Sequence, residues 1–234
     1  MKKLAAPIII TGCPRSGTSI IAGMLGLCGA FTGNTPKPVK DESRSMGENR
    51  RIYISAVLPY LLDAGIDPTG QYPIMYSGVP NMPPEYWERQ ISKALSMDKY
   101  TDGPWLYKSN VAAIMWRVWN DAFPNAKWII VRRRTGDIVS SCLNTAYMKA
   151  FKEEQNRLAI GAETEHDAWI KWVRLYESFF IDMITAGLNC KIVWPERFIQ
   201  NDYEQLHEII DWTGLKWRPS VIEYINPKLW KEAR

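Results

Sequence analysis

Histidine is nearly absent from this 234-residue chain, with two occurrences, and cysteine is sparse, with four. Cys13, Cys28, Cys142 and Cys190 are scattered and form no metal-ligand spacing, which argues against a structural zinc module. Such thiols fit a reducing, cytoplasmic setting. No run approaches the roughly 18 apolar residues that would mark a membrane span, so no integral membrane segment is expected. Lys2 and Lys3, a short apolar run and Ile10-Thr11-Gly12-Cys13 imitate a lipoprotein leader. Pro7 breaks that run, however, and the residues after Cys13 continue a motif that cleavage would destroy. A long run of one charge is also missing. The 29 basic and 25 acidic residues leave a net charge of +4, too mild and dispersed for a nucleic-acid surface. Arg132, Arg133 and Arg134 are the exception, a local cluster suited to one bound phosphate.

What remains is ordinary globular composition, 46% hydrophobic and 23% charged, in a length that suits a single domain over residues 1–234. Residues 7–11 are a β-branched run ending at Gly12, and a helical pattern begins at Thr18. Residues 29–40 read as loop and 65–84 as the least regular stretch. Helical patterns cover 48–64, where Pro59 should kink or interrupt the helix, and 84–97. Strand patterns at 105–108, 127–132 and 191–194 alternate with helical patterns ending near Phe123, opening at Asp137, and covering 167–186 and 202–212. This alternation predicts an α/β fold with a central, mostly parallel sheet flanked by helices. Eleven Trp and eleven Tyr supply core packing or a stacking surface for a ring-shaped ligand.

The loop Gly12-Cys13-Pro14-Arg15-Ser16-Gly17-Thr18-Ser19 lies between a strand and a helix. Free backbone N–H groups at a helix start, with the positive end of the helix dipole, make an anion site. The hydroxyls of Ser16, Thr18 and Ser19 are further donors. The Gly12-to-Gly17 spacing matches the phosphate loop of nucleotide hydrolases, but Thr18 stands where that loop has lysine, and the cation is Arg15. The 127–132 strand ends in arginines rather than a magnesium-holding Asp. Chemistry without a metal is the expectation.

Residues 127–141 repeat the strand, loop and helix start, with Arg133 and Ser141 placed to grip a phosphate and Asp137 suited to the helix N-cap. With both motifs in view, the chain resembles sulfotransferases that use 3′-phosphoadenylyl sulfate (PAPS). The loop at 14–19 resembles that family's 5′-phosphosulfate site, and Arg133, Asp137 and Ser141 resemble its 3′-phosphate site. A one-residue slip to Arg132 stays open. Further agreement comes from Lys108-Ser109-Asn110 leading to 123–127, the Glu196 segment before Gly214-Leu215, and 225–229. The resemblance implies a P-loop nucleotide-hydrolase-like fold. It also implies sulfuryl transfer to a small-molecule, carbohydrate or other hydroxyl or amine acceptor, with adenosine 3′,5′-bisphosphate as product.

Cytosolic small-molecule sulfotransferases carry a base histidine where this chain has Lys108-Ser109-Asn110. His166 and His207 lie elsewhere and read as surface or structural residues. Carbohydrate and tyrosyl-protein sulfotransferases resemble the Gly47-Glu48-Asn49 segment instead, which implies Glu48 as general base if burial raises its pKa. A helix-start acid is the alternative reading of Glu48, and Asp41 and Glu42 are further candidates. Arg15 and Lys108 complete the implied catalytic set; Arg15, Ser16, Gly17, Thr18, Ser19, Arg133 and Ser141 form the implied donor set. Residues 65–103 and 146–166 are expected to wall the acceptor pocket, with Tyr72, Tyr76, Trp87 and Trp105 as possible stacking surfaces. A nucleotide or small-molecule kinase and a non-catalytic nucleotide-binding module are the competing classes.

Overall fold

The computed structural model describes residues 4–35, 47–74 and 81–225. Asp41, Glu42, Tyr76 and the 226–229 stretch lie outside them. In chain order, β1 (Ile8–Gly12) leads through the glycine-rich loop into α1 (Thr18–Leu27). A short α2 (Arg50–Ile52) opens under Asn49, whose side chain accepts from the N–H groups of Arg51 and Ile52. It runs through a π-turn (Tyr53–Val57) into α3 (Leu58–Asp63). The π-turn is how the chain absorbs Pro59. Leu58 N–H reaches five residues back to Tyr53, so the proline falls in the first turn of α3, where its missing N–H costs little.

The chain continues through α4 (Pro84–Met97), β2 (Leu106–Lys108), a 3₁₀ turn (Asn110–Ala113) and α5 (Trp116–Ala122). Then come β3 (Lys127–Val131), α6 (Thr135–Leu143), a 3₁₀ turn (Ala150–Lys152) and α7 (Glu154–Ala159). The long α8 (Glu165–Thr185), N-capped by the Thr164 side chain, precedes β4 (Cys190–Val193). The described chain closes with α9 (Pro195–Ile199), α10 (Glu204–Thr213) and α11 (Ser220–Tyr224). Gly214 ends α10 in the left-handed conformation, φ 78°, that glycine adopts without strain. The short helices α7, α9 and α11 and the 3₁₀ turns were not read from the sequence, since five or six residues are too few to show a helical period.

Among the described residues the four strands form one parallel sheet in the order β2-β1-β3-β4. Successive residues alternate faces, and both faces are covered. Ile9, Trp128 and Ile130 pack with Trp87, Trp119 and Trp172, whereas Ile8, Ile10 and Ile129 pack with Met24, Leu25 and Ile210. Double burial is why these strands read as unbroken apolar runs. The register sets Ile10 beside Lys108 and Gly12 beside Val131, so three strands end at one edge around β1. The chain passes from β1 to one side for β2 and to the other for β3. In open parallel sheets ligands bind at such a reversal, beyond the carboxyl ends of the strands.

Candidate active site

At the end of β1 the chain turns sharply. A Cβ on Gly12 would lie 2.6 Å from the Val131 carbonyl oxygen and would meet the Ser16 hydroxyl, so no side chain fits there. Gly17, immediately before α1, has φ 98°. Arg15 adopts φ 72° without being glycine, a conformation uncommon and costly for a residue with a Cβ. The Ser16 Oγ is fully buried and has no hydrogen-bond partner among the described residues. Such an orphan costs about 1–3 kcal/mol until something accepts from it. The first turn of α1 carries no acid, which leaves its positive end uncompensated. These residues fit an anionic group laid on the loop. Thr18 is turned away in this structure, its Oγ1 donating to Asn110 Oδ1 at 3.3 Å. Ser19 is half-buried at the helix start.

The Arg15 guanidinium crosses to the second loop, donating from Nε to Ser141 Oγ at 2.9 Å and from Nη1 to the Tyr147 hydroxyl at 2.5 Å. Arg133 Nη1 returns a hydrogen bond to the Arg15 carbonyl oxygen at 3.2 Å. The three consecutive arginines therefore go separate ways. Arg132 pairs with Glu177 on α8 and lies over the Trp194 ring, Arg133 is buried against the glycine-rich loop, and Arg134 reaches Asp137 at 3.0 Å. Burial lowers the Arg133 pKa from its usual value; Asp137 and Glu196 oppose that shift, and Arg15 and Arg134 add to it. A buried cation beside other cations is an environment that a bound anion relieves. Burial pushes the Cys142 thiol up to about 12 despite nearby Arg15 and Arg133, so it stays a neutral packing group. Asp137 corrects an expectation. Helix α6 starts at Thr135 with Arg134 at the N-cap position, and Asp137 sits in the first turn as the partner of Arg134.

Glu48 precedes the α2 N-cap rather than opening the helix, and its Oε1 accepts from Lys108 Nζ at the end of β2. The two sides of this pair differ. The Lys108 side chain is 4% exposed, while that of Glu48 is 40% exposed. The carboxylate is thus reachable and the ammonium is not. Glu48 is held by a buried cation instead of being buried itself. Lys108 N–H donates to the Gly47 carbonyl at 2.9 Å, which fixes the Glu48 segment to the sheet edge. Glu48 borders a cavity of about 260 Å³ whose walls include Tyr53, Thr69, Tyr107 and Asn110. Thr69 comes from the stretch expected to wall an acceptor pocket; Tyr53 and Tyr107 were not anticipated.

Trp87 and Trp105 are fully buried and correct the stacking expectation. Trp87 packs edge-on against Trp119, and Trp105 packs against Phe123 while donating to the Ala5 carbonyl at 2.7 Å. Tyr72 borders a separate cavity with Leu62, Asp67 and Asn156. His166 is exposed at the start of α8, and His207 is exposed and stacked on Trp217. Tyr147, which touches Arg15, lies in the 146–166 stretch expected to wall an acceptor pocket, but nothing in its neighbours marks it as a partner of Arg15. No cluster of three or more metal-ligating side chains is found among the described residues, and none of their helices is long and apolar enough to cross a membrane.

Solved structures share the architecture. The sulfotransferase domain from the curacin biosynthetic pathway superposes with TM-score 0.60 at 14% identity, covering 96% of this chain and 79% of that one. The sulfotransferase domain of the Synechococcus PCC 7002 olefin synthase gives 0.58 at 15% identity, covering 97% and 79%. The sulfotransferase STF9 of Mycobacterium avium gives 0.55 at 14% identity, covering 94% and 67%. At these identities the likeness concerns the fold. No curated protein matches in sequence. A sulfotransferase family model matches residues 7–219, nearly the whole chain, and this chain belongs to the sulfotransferase family.

Proposed function

We propose that this protein transfers a sulfuryl group from PAPS to a hydroxyl or amine acceptor, with Glu48 as general base and no metal in the chemical step. The observation that carries the reading is the convergence of two anion-ready loops, joined by the Arg133–Arg15 hydrogen bond, beside the Glu48–Lys108 pair. A donor with two separate anionic ends suits two such loops. On this reading the loop N–H groups, Ser16, Gly17, Thr18, Ser19 and Arg15 hold the 5′-phosphosulfate end, and Arg133 and Ser141 hold the 3′-phosphate.

The donor supplies an activated sulfuryl group on a phosphate leaving group. Glu48, held by Lys108, takes the proton from the acceptor hydroxyl as its oxygen bonds to sulfur. The bond from sulfur to the bridging oxygen breaks, and the electron pair leaves on the 5′-phosphate of adenosine 3′,5′-bisphosphate. Arg15 and the loop N–H groups stabilise the charge that builds there, a preorganised electrostatic contribution of the kind that often dominates catalysis. Lys108 positions Glu48 through the ion pair. The cytoplasm is the compartment that free thiols and a nucleotide donor suit best.

The test is transfer of labelled sulfur from PAPS, without added metal, to a panel of alcohols, phenols, sugars and amines. Labelled product with at least one class is the expected result. ATP turnover that requires magnesium, with no transfer from PAPS, would favour the kinase reading instead.

A further inference from the structure

A second cavity, of about 470 Å³, lies between the start of the α2 segment and α4. Arg50 lines both this cavity and the Glu48 cavity. Two positions four apart face it from each side: Arg50 and Ile54 from one, Lys93 and Met97 from the other. Each side thus offers a cation next to an apolar side chain, the pairing that i,i+4 neighbours on a helix produce. Ile54 and Met97 are 52% and 57% exposed, and the buried Ala94 also lines the cavity. No acid is among the described residues that line this cavity. Asp98, which follows the lining residue Met97, is occupied, since it accepts from Arg51 Nε at 2.5 Å, Asn49 Nδ2 at 2.7 Å and Asn34 N at 2.8 Å. Arg50 and Lys93 have no ion-pair partner among the described residues.

We infer that the acceptor is an anionic amphiphile. Its reacting hydroxyl lies at Glu48, its aliphatic part runs past Arg50 along Ile54, Ala94 and Met97, and its carboxylate or phosphate lies between Arg50 and Lys93. This rests on the sulfotransferase reading, because it takes Glu48 as the reacting end. A neutral sugar or phenol would leave both cations and the exposed apolar pair without a role, whereas an aliphatic anion uses all four side chains. The chemistry is unchanged: the hydroxyl proton goes to Glu48, and the new bond joins its oxygen to sulfur.

The experiment compares three acceptors with the same hydroxyl and chain: 12-hydroxydodecanoate, 12-hydroxydodecyl phosphate and 1,12-dodecanediol. The anionic pair should show KM about tenfold below that of the diol, as two solvent-screened charges allow. The gap should shrink at high salt. Whichever of the two anions binds tighter identifies the anionic group. Binding is read independently of turnover by calorimetric titration of dodecanoate into protein saturated with adenosine 3′,5′-bisphosphate. Lys93→Glu, at an exposed position, should weaken that binding about tenfold. Equal KM for the diol and the anions, or wild-type dodecanoate affinity in Lys93→Glu, would overturn the inference while leaving the sulfotransferase reading intact. If the wild-type protein does not bind adenosine 3′,5′-bisphosphate in the same cell, both readings fall.

Discussion

Arg133 donates through Nη1 to the main-chain carbonyl of Arg15 at 3.2 Å, tying together two loops 118 residues apart. Arg132, its neighbour, points the other way into an ion pair with Glu177 at 2.5 Å. The two arginines therefore answer differently to substitution. Arg133→Gln should weaken binding of adenosine 3′,5′-bisphosphate about ten- to a hundredfold, the usual loss for a hydrogen-bonded charge. Arg132→Gln should change it less than about threefold, since a half-exposed surface pair contributes little. Isothermal titration of both variants checks this, and the reverse order would assign the anion to Arg132.

Glu48 supplies the second prediction. Glu48→Gln keeps the shape and can still receive the Lys108 hydrogen bond, but it cannot take a proton. Turnover should fall about 10²- to 10⁴-fold, the range for loss of a general base. The nucleotide dissociation constant should stay within twofold, as roughly 0.4 kcal/mol of disturbance would permit. Full activity in the variant would remove Glu48 from the mechanism.

Gly12 tests the loop's packing. Alanine there would press on the Val131 carbonyl and the Ser16 hydroxyl, both on well-packed neighbours. Gly12→Ala should destabilise the fold by about 1–3 kcal/mol, as overpacking does. It should also lower nucleotide affinity, because the loop has to move. Denaturant unfolding and titration read the two effects separately.

Asp67 gives a pH prediction. Burial pushes its carboxyl up, but hydrogen bonds from Thr69, Gln71 and Tyr72 together hold its pKa below the usual value. A depressed folded pKa stabilises the protein above the unfolded value and loses that contribution as pH falls through the folded one. Asp67→Asn should therefore cost about 1 kcal/mol at pH 7, after allowance for solvent screening at a half-buried site. The gap from wild type should close as pH drops below about 3.9, the unfolded value. A gap that persists at pH 2 would place the effect in packing rather than charge.

The sheet was legible in the sequence because its strands are buried on both faces, so 7–11 and 127–132 stand out as unbroken β-branched runs. Helix α4 is legible too, since Pro84 marks its start and its apolar positions keep a helical period to about Met97. The glycine-rich loop was legible for a local reason, its strand-turn-helix placement. Tyr147 and the Lys108–Glu48 pair were not, as pairs. Tyr147 meets Arg15 across 132 residues and Lys108 meets Glu48 across 60, and no local pattern encodes which distant partner a side chain will find. Trp87 and Trp105 show the converse. Their composition signal was ambiguous between stacking and packing, and only the fold's layers place them in the core.

Melting temperature with competing nucleotides reads out the proposed site for a donor with a 5′-phosphosulfate and a 3′-phosphate. Adenosine 3′,5′-bisphosphate at a hundredfold excess over its dissociation constant should stabilise the protein by about 2.7 kcal/mol. For a chain of this size that is a rise of about 5–10 °C. ATP with magnesium should give little or no rise. A rise with ATP and magnesium alone would rule out that donor site.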